Sequence, residues 1–150
     1  MRSMAATTKK TSPNRDGLTL LGNSGISTPD HPSKAVLETF ENLSQNQKYS
    51  VSLDCPDFTS LCPVTGQPDF AHITISYVPS KRCVETKSLK LYLASFRNLQ
   101  AFNEEVVNRI FRDLLTVTEP KELRVQGRFA ARGGISLSVV VEHAKRKTRS

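Results

Sequence analysis

Cys62 and Asp69 stand seven residues apart, with Pro63 and Gly66 between them to bend the chain back. A thiol and a carboxylate brought to one small cavity are the ingredients of nucleophilic chemistry assisted by an acid or base. The same residues have plainer uses, since cysteine packs as a small buried hydrophobe and aspartate is a turn former. Both lie in the stretch 54–70, which holds two thiols, three prolines, a glycine and three carboxylates. Gly and Pro at this density, with no sustained hydrophobic period, predict a loop held on a defined path between two strands.

Other chemistries find less support. His31, His72 and His143 are scattered, and neither Cys-x-x-Cys nor His-x-x-x-His spacing occurs, so no metal site is expected. There is no Gly-x-Gly-x-x-Gly for a dinucleotide. A nucleotide cofactor would have to be held by Lys and Arg on its phosphates. Cys55 and Cys62 form a conceivable redox pair, and the run Pro56 to Cys62 resembles the peroxidatic motif of peroxiredoxins. It is one residue short of that motif, and the order of strands is not thioredoxin-like. Glu104 and Glu105 fall in the first turn of a helix, where a carboxylate gains about 0.3–1 kcal/mol from the helix dipole. A carboxylate in that place can also read a heterocycle edge by accepting two N–H donors.

The elements that must position these groups follow from the hydrophobic period. Ser33 is a candidate cap for a short helix over 34–42, with Val36, Leu37 and Phe40 on one side. Tyr49, Val51 and Leu53 alternate with polar residues as one strand, and Ala71, Ile73, Ile75 and Tyr77 as a second. A turn follows at Pro79 to Arg82. From Lys87 the period becomes helical, is interrupted over 98–101, and resumes from about Phe102 to Val117 as a wide apolar stripe. Pro120 ends that helix. Leu123, Val125 and Phe129, then Ile135, Leu137, Val139 and Val141, make two more strands around a turn at Arg132-Gly133-Gly134. The order strand-strand-helix-helix-strand-strand predicts an α+β fold, a four-stranded antiparallel sheet with two helices on one face. Such a sheet has open edges, and pairing with identical copies in a closed ring would hide them. A homo-oligomer with sites at subunit borders is expected.

At 150 residues the chain is one domain, with a disordered tail expected over 1–32, a folded part over 33–143 and a basic tail over 144–150. The net charge of +7 is concentrated at the ends, where Lys145, Arg146, Lys147 and Arg149 supply more than half of it. A solvated tail explains that pattern, so direct nucleic-acid binding is not expected. No apolar run reaches membrane-spanning length, and the first residues lack the apolar core of a secretory signal. Three cysteines, an odd number, make no disulfide framework, and the chain reads as cytoplasmic with reduced thiols.

Two segments carry a specific resemblance. Phe58-Thr59-Ser60-Leu61-Cys62-Pro63 followed by Thr65-Gly66-Gln67-Pro68-Asp69-Phe70 closely resembles the active-site loop of the NADPH-dependent 7-cyano-7-deazaguanine reductases, the nitrile reductases of queuosine biosynthesis. Val84-Glu85-Thr86-Lys87-Ser88-Leu89-Lys90 is similar to that family's signature, with Thr86 where Ser or Leu is usual. Ser95 to Asn98 and Arg132 to Ser136 also fit, and the similarity runs over about 33–138, in the short single-module form of the family. The resemblance implies a tunnelling fold (T-fold) in stacked homo-oligomeric rings. It implies Cys62 as the nucleophile that forms a covalent thioimide with the nitrile and Asp69 as proton donor. It implies Val84, Glu85, Thr86 and Glu104 against the deazapurine, with Asn103 where members commonly carry His. Asn103 can donate a hydrogen bond but cannot relay a proton. Lys87 and Lys90, three apart on one helical face, then suit the phosphates of NADPH, with Arg132 a further candidate. The implied reaction consumes two NADPH per nitrile and yields 7-aminomethyl-7-deazaguanine. A T-fold protein that binds a purine or pterin without turnover is the alternative.

Overall fold

Strict alternation puts Ala71, Ile73, Ile75 and Tyr77 on one face of strand β3 (Pro68–Val78), all of them buried. Strands β2 (Val51–Leu61) and β5 (Glu122–Arg132) flank β3, and β6 (Ile135–Ala144) completes the antiparallel order β2-β3-β5-β6. The protein is described here from a computed structural model, over residues 17–144. Helices α1 (Thr86–Ala94) and α2 (Asn103–Thr118), joined by a 3-10 turn over Ser95–Asn98, supply the other half of the core. Tyr92, Phe96, Val107 and Ile110 are buried beneath them against Ile73, Ile75 and Val125. Burial of each such side chain contributes about 1.5–3 kcal/mol. The Tyr92 hydroxyl donates to Asp113 at 2.6 Å, tying α1 to α2. Glu119, in the left-handed region at φ 43°, closes α2 just before Pro120.

The α+β architecture and its strand-strand-helix-helix-strand-strand order match the expectation, and three local readings do not. First, most of 54–70 is strand: β2 and β3 form a long hairpin, and only residues 62–67 turn. A bulge between Cys55 and Phe58 takes up Pro56 and Asp57, so the break in hydrophobic alternation marks a slip in pairing rather than a loop. Second, no helix forms over 34–42. The chain makes a 3-10 turn at Pro32–Lys34 and then strand β1 (Thr39–Glu41). There the Glu38 N–H donates to Ser88 Oγ at 2.9 Å, and the Glu85 N–H donates to the Glu38 carbonyl at 2.8 Å. Those long-range bonds outweigh a weak local preference for helix. Third, the expected turn at Pro79–Arg82 runs into a short strand, β4 (Arg82–Val84), which pairs with β1.

Residues 1–16 and 145–150, where tails are expected, lie outside the described residues. Residues 17–32 are placed against the domain: the N–H groups of Thr19 and Leu20 donate to the buried Glu38 carboxylate at 2.8 and 3.3 Å. The sheet face away from the helices is polar, with Asp54 against His72 and Arg124 against Glu142 at 2.8 Å. None of the helices among the described residues is long and apolar enough to cross a membrane.

Where α2 crosses β5 the packing leaves room for no side chain. A Cβ on Gly127 would lie 2.6 Å from Val107 Cγ2 and 3.0 Å from Phe129 Cε2. Gly127→Ala is expected to destabilise the fold by about 1–3 kcal/mol, read as a lowered midpoint in urea unfolding with an unchanged slope. Wild-type stability would mean that α2 does not sit this close to the sheet.

Candidate active site

The hairpin turn between β2 and β3 is closed by two backbone bonds: Cys62 N–H to the Gln67 carbonyl at 2.8 Å, and Gly66 N–H to the Cys62 carbonyl at 2.9 Å. Gly66 adopts φ +69°, which only glycine takes without strain. Thr65 sits inside this turn. Its hydroxyl accepts from the Gln67 N–H at 3.3 Å and lies close to the Cys62 sulfur. That hydroxyl, then the N–H groups of Thr65 and Val64, bring the Cys62 thiol down to about 7, with slight opposition from burial and a further push from the Arg132 guanidinium. Cys55 is its contrast, its thiol pushed up first by burial and then by the Asp54 carboxylate. Proximity of donors rather than cysteine itself therefore selects Cys62 as the reactive thiol.

Asp69 lies just past the turn on β3 and is buried, at 7% exposure. Arg132, at the end of β5, meets it with Nε 2.9 Å from Oδ1 and donates from Nη2 to the Pro68 carbonyl at 2.7 Å. A second bulge in the β5–β6 pairing, between Phe129 and Arg132, aims the guanidinium back at β3. Directly opposite Asp69 in the β2–β3 ladder stands Ser60, wholly buried and with no hydrogen-bond partner for its hydroxyl.

The end of β2 is held on its other edge too. The Leu61 N–H donates to the Leu99 carbonyl at 2.9 Å, and the Ala101 N–H to the Leu61 carbonyl at 3.2 Å. This parallel bridge of Leu61 with Gln100 sets the Cys62 turn beside the entrance of α2, three residues before Asn103 and four before Glu104. Glu104 lines a groove of about 440 Å³ with Leu99, Ala101, Glu105, Arg109 and Arg112. Asn103 keeps its side-chain oxygen buried and without a partner.

The chain thus sets Arg132 on Asp69, with the Cys62 thiol under the influence of the same guanidinium, and brings the entrance of α2, with Asn103 and Glu104, beside the Cys62 turn. The signature segment has other partners. Val84 is buried in β4, and the Glu85 carboxylate caps α1, accepting from the N–H groups of Lys87 and Ser88 at 2.7 and 2.8 Å. Thr86 opens the helix. The Lys87 ammonium donates to the carbonyls of Leu20 and Asn23, both at 2.7 Å. Lys90 stands instead at a groove of about 400 Å³ beside the β2 bulge, with Cys55, Phe58, Thr59, Leu93 and Arg97. Cations at the rim of a partly apolar groove suit a phosphate-bearing cofactor, so Lys90 fits that role where Lys87 is already engaged. Sequence reasoning missed Ser60, Thr65 and Arg97. Thr65, three residues after the cysteine in a glycine turn, was the readable signal. Ser60 depends on pairing across strands, and Arg97 on how the 3-10 turn packs beside β2.

A four-stranded antiparallel sheet covered by two helices on one face, with a reactive thiol and a buried carboxylate at one hairpin end, defines the class as T-fold with a cysteine site. A family model described as "QueF-like protein" matches residues 68–148. The NADPH-dependent 7-cyano-7-deazaguanine reductase of Bacillus licheniformis is 50% identical over 95% of this chain and 86% of its own length. Its namesake in Bacillus subtilis is 48% identical over the same shares, and that of Alkaliphilus metalliredigens 50% identical over 89% and 80%. Among solved structures, the apo form of the archaeosine synthase QueF-Like aligns at a TM-score of 0.60 with 19% identity, over 65% of this chain and 96% of that one. That last likeness shows the fold alone. The chain belongs to the NADPH-dependent 7-cyano-7-deazaguanine reductase family.

The turn makes a test of the thiol direct. With its thiol lowered to about 7, Cys62 is mostly thiolate above that pH and mostly thiol below it. Iodoacetamide labelling of Cys62, followed by peptide mass, is expected to rise with a midpoint near 7. Thr65→Val should move it towards the ordinary value of about 8.5. An unmoved midpoint would remove Thr65 from the activation of the thiol.

Proposed function

We propose that this chain reduces the nitrile of 7-cyano-7-deazaguanine to the aminomethyl group of 7-aminomethyl-7-deazaguanine with NADPH, in tRNA queuosine biosynthesis. The observation that carries it is the Cys62 thiol lowered to about 7 in the turn just before buried Asp69, in a chain half identical to a named reductase over nearly its whole length.

The Cys62 thiolate attacks the nitrile carbon. An S–C bond forms, one C–N π bond opens towards nitrogen, and Asp69 delivers the proton that nitrogen takes up, leaving a thioimide. NADPH, when bound, supplies hydride to that carbon, once before and once after the sulfur departs. Cys62 leaves as thiolate, a good leaving group because its neighbours stabilise the anion. The Glu104 carboxylate faces the purine edge as acceptor of N–H donors, with Asn103 beside it and Val84, Glu85 and Thr86 completing the pocket. Lys90, with Arg132, binds cofactor phosphate, and Lys87 steadies residues 20–23 beside it.

Val84 to Thr86 are engaged where β4 leads into α1 and Glu104 at the start of α2, which supports a site completed across a subunit border. The sheet supports the same reading. β6 ends it on one side, and the outer edge of β2 is bridged only near Leu61 among the described residues, so copies can pair edge to edge in a ring. Three unpaired cysteines suit a reducing cytoplasm.

NADPH oxidation at 340 nm tests the reaction. Two NADPH consumed per nitrile are expected, with Cys62→Ala reducing the rate at least ~1000-fold while thermal midpoint and oligomer size stay put. Lys90→Ala should raise KM for NADPH roughly tenfold and leave KM for the nitrile alone. Tight purine binding without oxidation would identify a non-catalytic binder instead.

A further inference from the structure

Ser60 is a wholly buried polar side chain at the hairpin that the reaction above leaves without a task. It is 0% exposed, its hydroxyl has no partner, and it faces Asp69 directly across the β2–β3 ladder. Buried hydroxyls are almost always satisfied, and an orphan next to a site calls for an explanation in a second state of that site. Opposed residues on one face of an antiparallel pair have their Cβ atoms about 4.5–5.5 Å apart, within reach of one another after a small rotation.

Among the described residues Asp69 has one strong partner, the Arg132 guanidinium at 2.9 Å. That ion pair requires a carboxylate, whereas a proton donor must be a neutral acid. Arg132 must therefore let go before Asp69 can serve. Arg132 is 38% exposed, and its position at the end of β5 leaves it free to turn towards an anion. The charged group that the strands set on Asp69 is Arg132 from β5, and the Cys62 thiol feels the same guanidinium.

We propose that Ser60 is a positioning residue for Asp69: when the nitrile enters and the Asp69–Arg132 pair opens, the Ser60 hydroxyl donates to the carbonyl oxygen of the protonated Asp69. The acid O–H is then left facing the nitrile nitrogen. Ser60 touches neither substrate nor cofactor and acts only through Asp69. This inference rests on the reading of Asp69 as proton donor.

A double-mutant cycle of Ser60→Ala and Asp69→Asn in the full chain tests it, with kcat and KM for the nitrile from NADPH oxidation and the thermal midpoint as readouts. Ser60→Ala should lower kcat roughly tenfold, leave KM for the nitrile within about twofold, and not lower the thermal midpoint, because no bond of the free protein is lost. In the Asp69→Asn background it should have no further effect, the mark of two residues acting as one unit. Unchanged kcat in Ser60→Ala, the same fold-loss in both backgrounds, or a loss that tracks a fallen thermal midpoint would each overturn the proposal. A wild-type protein that oxidises no NADPH with the nitrile would overturn the proposed function and this inference together. An active wild type with an uncoupled Ser60 overturns this inference alone.

Discussion

The end of β2 at Leu61 is held on both edges, and the site depends on it. On one side Leu61 stands opposite Pro68 in the hairpin, and on the other its N–H and carbonyl bond to Leu99 and Ala101. A hairpin end is ordinarily the loosest part of a sheet, free to fray and twist. Gripped between β3 and the segment leading into α2, this one has a fixed height and direction. That grip decides where the Cys62 sulfur sits, which N–H groups reach it, and how far it lies from the entrance of α2. The thiol near pH 7 is a consequence of rigidity as much as of chemistry, because Thr65 and the backbone donors act only while the turn keeps its shape.

The buried polar residues around that end share one property. Ser60 and Asp69 occupy inward positions of their strands, where Phe58 and Ala71 beside them are apolar. Apolar side chains in those places would extend the core and steady the sheet. Polar ones weaken it locally, and the Asp69–Arg132 pair offsets only part of the loss, because Arg132 remains partly in water. Such a departure from good packing is what a site that binds and reacts requires. Glu85 follows the same pattern at α1, a buried carboxylate held by two helix N–H groups.

This departure also sets what could be read in the sequence. Sheet, helices and their order were legible because Ile73, Ile75, Val125 and the α2 stripe keep clean periods. The stretch 54–70 read as loop for the reason that makes it functional: Pro56 and Asp57 form a bulge, and Ser60 and Asp69 interrupt the apolar alternation. Strands β1 and β4 were hidden because each is three residues long and is formed by distant bonds to Ser88 and Glu38. Cys62, Asp69 and Glu104 were legible as types with spacing. Their neighbours were not, since Ser60 across from Asp69 and Arg132 upon it are facts of strand register. Lys87 shows the limit of spacing, for it stands three residues from Lys90 yet is occupied by backbone carbonyls.

The central claim is that Cys62 attacks the nitrile carbon before any hydride arrives. The intact mass of freshly reduced protein mixed with 7-cyano-7-deazaguanine, without NADPH, tests it most directly. An increase equal to the whole nitrile molecule, mapped to Cys62 and absent from Cys62→Ala, is the predicted result. No increase in folded protein whose Cys62 is shown to be reduced would contradict the account.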